Sequence, residues 1–214
     1  MLLEPIQRAK LDETDDTLFY DAPRFVTHVD DGFIQQLTDL YRQRLTPGTR
    51  IFDLMSSWVS HLPEEMTFEH VEGHGLNAEE LAKNRRLDHY LVQNLNQTQL
   101  LPLPDQSFDA VVNTVSVQYL QKPEAVFAEV YRLLKPGGIA IFSFSNRMFY
   151  QKAIQAWRDG SEAQRVELVK RYFQAIPGFG NVEAIAHQST MPAFMQMFGM
   201  GSGDPFYAVL AQRL

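Results

Sequence analysis

The stretch Asp53-Leu54-Met55-Ser56-Ser57-Trp58-Val59-Ser60-His61 gathers a carboxylate, three hydroxyls, an indole and an imidazole. The acid can accept hydrogen bonds from a ligand or cap a turn. Ser56, Ser57 and Ser60 can donate to a ligand carboxylate or serve only the turn, and Trp58 can stack on a flat ring or pack a pocket floor. His61 and, further on, His74 titrate near neutrality, which suits either as a general base, although a single loop histidine is more often structural. Phe19, Tyr20, Arg24 and Phe25 join aromatic faces to a cation and read as a lid over a substrate or as a cap on the core. Cysteine is absent, so thiol catalysis, disulfides and thiolate metal sites are excluded. His28, His70, His89 and His187 show no ligand spacing with Asp or Glu, and no metal site is expected.

These groups need elements to position them. Asp31 to Leu45 carries Phe33, Ile34, Leu37, Leu40 and Tyr41 at helical spacing and stops at Thr46-Pro47-Gly48. Arg50 to Leu54 reads as a first strand and Phe68 to Gly73 as a second. Asn77 then caps a helix with Glu79 and Glu80 in its first turn, and a third strand lies within Leu87 to Leu95. Phe108 to Asn113 is a short apolar run suited to a strand covered on both faces. The helix from Glu124 to Leu134 follows, with Pro123 at its first position. Pro136-Gly137-Gly138 forces a turn, and Ile139 to Phe144 returns as a parallel strand through a right-handed crossover. Tyr150 to Trp157 and Glu162 to Ala175 read as helices, and Val182 to Gln188 and Phe206 to Leu214 as an antiparallel pair of final strands. The segment between that pair holds Met191, Met195, Met197 and Met200, an adaptable apolar wall or core filling. Residues 1 to 17 read as loosely ordered. A single domain is expected, with residues 1–45 as an N-terminal lid and helix and 46–214 as the core.

The run Ser107 to Ser145, with SFDAVV, a helix ending in EVYRLLKPGG and the strand IAIFSFS, resembles the central motifs of class I S-adenosylmethionine-dependent methyltransferases, particularly the type 11 group. That resemblance implies an α/β, Rossmann-like, mostly parallel seven-stranded sheet in the order 3-2-1-4-5-7-6 with helices on both faces. It also implies S-adenosylmethionine as cofactor and a site beyond the carboxyl ends of the strands. By position it assigns Asp53, Ser56, Ser57 and Trp58 to the cofactor loop, Gly75, Leu76 and Asn77 to the ribose side, Asn94 and Leu95 to the adenine side, and Asn113 to the end of the fourth strand. Gln118 and Tyr119 fall where the family meets methionine and substrate. Tyr119 is thereby a catalytic candidate beside His61 and His74, and Tyr20 and Arg24 are substrate candidates.

Two departures stand out. The glycines usual after the acid of the first strand are replaced by Met55, Ser57 and Val59, and Gly75 occupies the position of the acid that grips the ribose hydroxyls. Each charge-assisted hydrogen bond lost there is worth roughly 1.5–3 kcal/mol. The resemblance implies methyl transfer to a small-molecule acceptor; the alternative is a non-catalytic or repurposed ligand-binding protein on the same fold. A nicotinamide-dependent oxidoreductase is disfavoured because no G-x-G-x-x-G follows the first strand. A formal net charge of -7 argues against a nucleic-acid partner. No apolar run reaches membrane-spanning length, the N-terminus does not read as a signal peptide, and the expected location is the cytoplasm. The sequence sets no oligomeric state.

Overall fold

The computed structural model describes residues 2–187 and 203–214. Seven strands, β1 (Arg50–Asp53), β2 (His70–Gly75), β3 (His89–Val92), β4 (Phe108–Thr114), β5 (Leu134–Phe144), β6 (Phe179–His187) and β7 (Phe206–Arg213), form one sheet in the order β3-β2-β1-β4-β5-β7-β6. β1 to β5 pair in parallel, whereas β7 runs antiparallel to both β5 and β6. The expected order and the antiparallel edge are both present. The Met-rich stretch with Met191, Met195, Met197 and Met200 lies outside the described residues.

Side chains alternate across the central strands and divide the core in two. Phe52, Val111, Phe142 and Val209 face one cluster, closed by Val126, Phe127, Val130 and Leu133 of a helix over Pro123–Leu133 and by Leu168, Val169, Tyr172 and Phe173 of another over Glu162–Gln174. Ile51, Val112, Ile141, Ala208 and Leu210 face the other, closed by Phe33, Leu37, Leu40 and Tyr41 of the helix Asp31–Arg44. In chain order the helices are α1 (Asp16–Phe19), α2 (Asp31–Arg44), α3 (Ala78–Lys83), α4 (Pro123–Leu133), α5 (Gln155–Arg158) and α6 (Glu162–Gln174). Their starts follow local chemistry. Asp30 accepts from Phe33 N–H at the head of α2, Asn77 from the amides of Glu79 and Glu80 at α3, and Ser161 with Gln164 forms a capping box at α6.

Four expectations are corrected. β2 begins and ends two residues later than read, which brings His74 and Gly75 into the strand. Lys135 to Gly138 is an irregularity inside β5 rather than a separate turn: the register shifts between Phe108 and Ala110 of β4, and Gly137 takes φ 80°. A Cβ on Gly138 would lie 2.9 Å from the Lys135 carbonyl oxygen, so the bulge needs glycine there.

Only Gln155–Arg158 of the expected helix over 150–157 forms, because the amides of Ile154 and Gln155 donate to the carbonyls of Gln118 and Ala9 instead of up a helix. Finally, residues 2 to 17 are tied down. Leu3 is buried, Arg8 pairs with Glu124, and a 3-10 turn covers Pro5–Arg8. Lys10, Asp16 and the fully buried Lys152 form an ion cluster with Asp12. Lys10 and Asp16, which read as solvated, are buried and paired with each other.

Candidate active site

Beyond the carboxyl ends of β1 to β4 the chain encloses a cavity of about 350 Å³. Of the residues singled out in the sequence, Tyr20, Arg24, Asp53, Ser56, Ser57, Trp58, His61, His74, Gly75, Leu76, Asn77, Asn94, Leu95, Gln118 and Tyr119 all line it; Asn113 does not. Asn113 lies fully buried behind the wall, where its Nδ2 donates to the Leu54 carbonyl and to Ser116 Oγ at 2.9 and 2.8 Å, bracing the ends of β1 and β4.

The floor is the loop after β1. Asp53, 3% exposed, accepts from Ser56 Oγ at 2.6 Å. Burial raises its pKa to about 6, and hydrogen bonds from Ser56 and Ser60 hold the shift back. Met55 takes φ 57°, a conformation that favours glycine, and His61 and Val115 also stand at positive φ, 54° and 45°. Three non-glycine residues in the left-handed region around one cavity mark a backbone held by its surroundings. One such support is His74. Its ring is 1% exposed, Nδ1 accepts from Met55 N–H at 3.2 Å and Nε2 donates to the Gln93 carbonyl at 2.9 Å. Both nitrogens are committed, and burial lowers its pKa to about 4, so His74 is a neutral bridge and not a general base.

Three further readings change in the same way. Tyr119 Oη accepts from Phe149 N–H at 2.9 Å, its ring stacks on Phe149, and burial pushes its pKa up to about 12, which removes it as a base. Asn77 spends its oxygen on the α3 cap and its Nδ2 on the carbonyls of Tyr20 and Asp21. Asn94 donates to Asp15 at 3.1 Å and accepts from Asn96 N–H. The side chains expected at the ribose and adenine edges thus hold the N-terminal strap. Trp58 does not block the hollow: its Nε1 donates to the Val26 carbonyl at 3.1 Å and its ring meets Phe25 edge-on.

His61 differs from His74 in having an open ring. Burial lowers its pKa to about 4, and its ring has no hydrogen-bond partner among the described residues. Gln118 and Arg24 line the cavity, and their Oε1 and Nη1 are buried without a hydrogen-bond partner among the described residues. The sequence reading missed Glu80, His28, Arg147 and Phe149, which also line the cavity. Glu80 looked like a helix-dipole residue, yet its carboxylate accepts from Ser57 Oγ and Arg24 N–H, both at 2.6 Å. Phe149 had no motif to reveal it, since the backbone after β5 is set by distant partners.

A family profile described as a methyltransferase domain matches residues 60–142. The chain is 29% identical over 101 residues to the biotin biosynthesis bifunctional protein BioHC of Teredinibacter turnerae, covering 46% of this chain and 18% of that one. It is 37% identical over 57 residues to a malonyl-[acyl-carrier protein] O-methyltransferase of Marinomonas sp., covering 27% and 21%. The matches thus span about a fifth of these curated relatives. A solved S-adenosylmethionine-dependent methyltransferase from Thermotoga maritima superposes with a TM-score of 0.57 at 18% identity, over 85% of this chain and 90% of that one. Among the described residues no helix is long and apolar enough to cross a membrane, and no cluster of His, Asp and Glu could hold a metal ion. The strand order and the matched central stretch make the chain similar, in fold and in its central motifs, to the class I S-adenosylmethionine-dependent methyltransferases.

Proposed function

We propose that the chain transfers a methyl group from S-adenosylmethionine to a small-molecule acceptor bound in the cavity behind Asp53. The observation that carries this reading is the 350 Å³ hollow at the strand ends, within the 300–1,000 Å³ range of small-ligand sites. Its lining suits a cationic nucleoside: a buried acid, apolar walls at Leu76 and Leu95, and an orphaned polar atom at Gln118. Asp53 and Gln118 would hold its polar groups, with Leu76 and Leu95 against the base. When bound, the cofactor supplies an electrophilic methyl on a sulfonium.

The chain's own part is to position and to exclude water. Holding the acceptor in line with the methyl can contribute about 7–11 kcal/mol, and the aromatic strap over the cavity keeps water away. His61, neutral at physiological pH and with an open ring, would accept a hydrogen bond from the acceptor's nucleophile, with a pKa of about 4 that makes it a weak proton acceptor. The malonyl relatives act, by their names, on an acyl group borne by a carrier protein, an acceptor of a different kind from a free small molecule.

A second reading, a ligand-binding protein without transferase activity, draws on one observation. A Cβ on Gly75 would sit 2.7 Å from the Ser56 carbonyl oxygen, so the loop after β1 occupies the place of the missing ribose acid. Calorimetric titration with S-adenosylhomocysteine separates the two. Micromolar binding, weakened at least tenfold by Asp53→Ala, is expected for the transferase; no heat at millimolar ligand would leave only the second reading.

A further inference from the structure

We infer that Arg24 is the receptor for a carboxylate carried by the methyl acceptor, which makes the acceptor class an organic acid with an apolar body. This inference rests on the cavity being a transferase site. Arg24 lies in the strap between α1 and α2 and lines the cavity. Its guanidinium carbon stands 4.6 Å from the centre of the Phe19 ring, 5.6 Å from Tyr20 and 5.5 Å from Phe149. Aromatic rings attract a guanidinium through its face, and they leave the in-plane N–H groups unused. Nη2 donates in plane to the Phe19 carbonyl at 2.8 Å. Nη1 is buried, and among the described residues it has no hydrogen-bond partner and no carboxylate lies within ion-pair distance of the group.

A buried cationic donor left open is costly unless an anion completes it. Glu80, whose carboxylate does contact Arg24, is committed to Ser57 Oγ and to the main-chain N–H of Arg24, not to the guanidinium. Ring-stacked and pinned through one nitrogen, the fork is pre-oriented, and a planar carboxylate matches its geometry. The acceptor is assigned as the source because Phe149, against which Arg24 packs, follows β5, on the far side of β4 from the strand ends expected to hold adenosine. His28, edge-on to the same ring, adds an apolar-walled neighbour held neutral by burial.

The test titrates benzoate and its neutral isostere benzamide into the intact chain, with and without saturating S-adenosylhomocysteine, by calorimetry. Benzoate is expected to bind at least tenfold more tightly than benzamide, and Arg24→Gln should abolish that preference. Arg24→Lys keeps the charge but not the planar fork and should lose most of it; a thermal melt on each variant identifies a folding failure, and R24K then carries the test. Equal affinity for benzoate and benzamide overturns the inference, as does a preference that survives in R24K and R24Q. If R24Q weakens S-adenosylhomocysteine but not 5′-methylthioadenosine, which lacks the amino-acid part, the carboxylate is the cofactor's and the acceptor assignment falls. The arm without S-adenosylhomocysteine reads Arg24 even when the nucleoside fails to bind, so failure here is distinct from failure of the transferase reading.

Discussion

His61, His74 and Asp53 share one cavity, and burial has moved all three in the direction that favours the neutral form: the two imidazoles down to about 4 and the carboxyl up to about 6. The consequences for stability oppose one another. Between pH 6.5 and 4 the unfolded chain protonates both histidines while the folded chain refuses, so their contribution to stability is lost as pH falls. Asp53 keeps its proton in the fold over roughly pH 4 to 6, where the unfolded chain has released it, so its contribution falls as pH rises.

Two histidines against one acid predict a net loss on going from pH 6.5 to 4.5. His61→Gln should flatten that loss by on the order of 2 kcal/mol, and Asp53→Asn should steepen it. Urea unfolding at the two pH values reads both slopes; a His61→Gln slope parallel to the wild type would show that the ring is not desolvated. Residue roles of this kind were only half visible in the sequence. Position along the strand ends drew Asn77, Asn94 and Tyr119 into the site, but which hydrogen bonds they spend depends on residues 15–21 and 149, far away in the chain.

At the scale of elements, what was legible is what local chemistry decides: the caps of α2, α3 and α6, the proline at the head of α4, and the apolar strands. The strap from Leu3 to Val29 was not legible, because its order comes from burying charges that look solvated. Lys152 is the pivot. It is wholly buried, with Nζ 2.8 Å from the Thr14 carbonyl, 3.0 Å from Asp12 and 3.5 Å from Asp16, which in turn pairs with buried Lys10 at 2.6 Å. Removing one partner of a buried ionic group costs about 3–5 kcal/mol because the others are left uncompensated. Lys152→Met is expected to release the strap ahead of the sheet. Amide exchange should accelerate most over residues 5–20, with β4 protected until global unfolding. Equal acceleration in both would mean that the strap is no separate unit, and the closure of the cavity by Tyr20 and Arg24 would then have to be built into the sheet itself.

For the whole molecule, the sheet separates two apolar layers that meet the cavity from opposite sides. Phe127 is enclosed by Phe142, Tyr172 and Phe173 at ring-centre distances of 4.6, 5.3 and 4.7 Å, all on the α4 and α6 face. Leu37 is fully buried in the α2 layer with Ile51, Val112 and Leu210. The strands between them alternate, so a methylene removed on one face leaves its cavity on that face alone. Phe127→Ala should cost about 3–5 kcal/mol and Leu37→Ala about 2–5 kcal/mol. Because the two side chains share no contact, the double variant should equal the sum within roughly 0.5 kcal/mol by urea denaturation. A shortfall above about 1 kcal/mol would instead mean that the strands shift as a body when either layer is thinned. The loop after β1, strained at Met55 and His61 and fixed between both layers, would then feel core substitutions on either side, and ligand affinity in the two single variants would fall together.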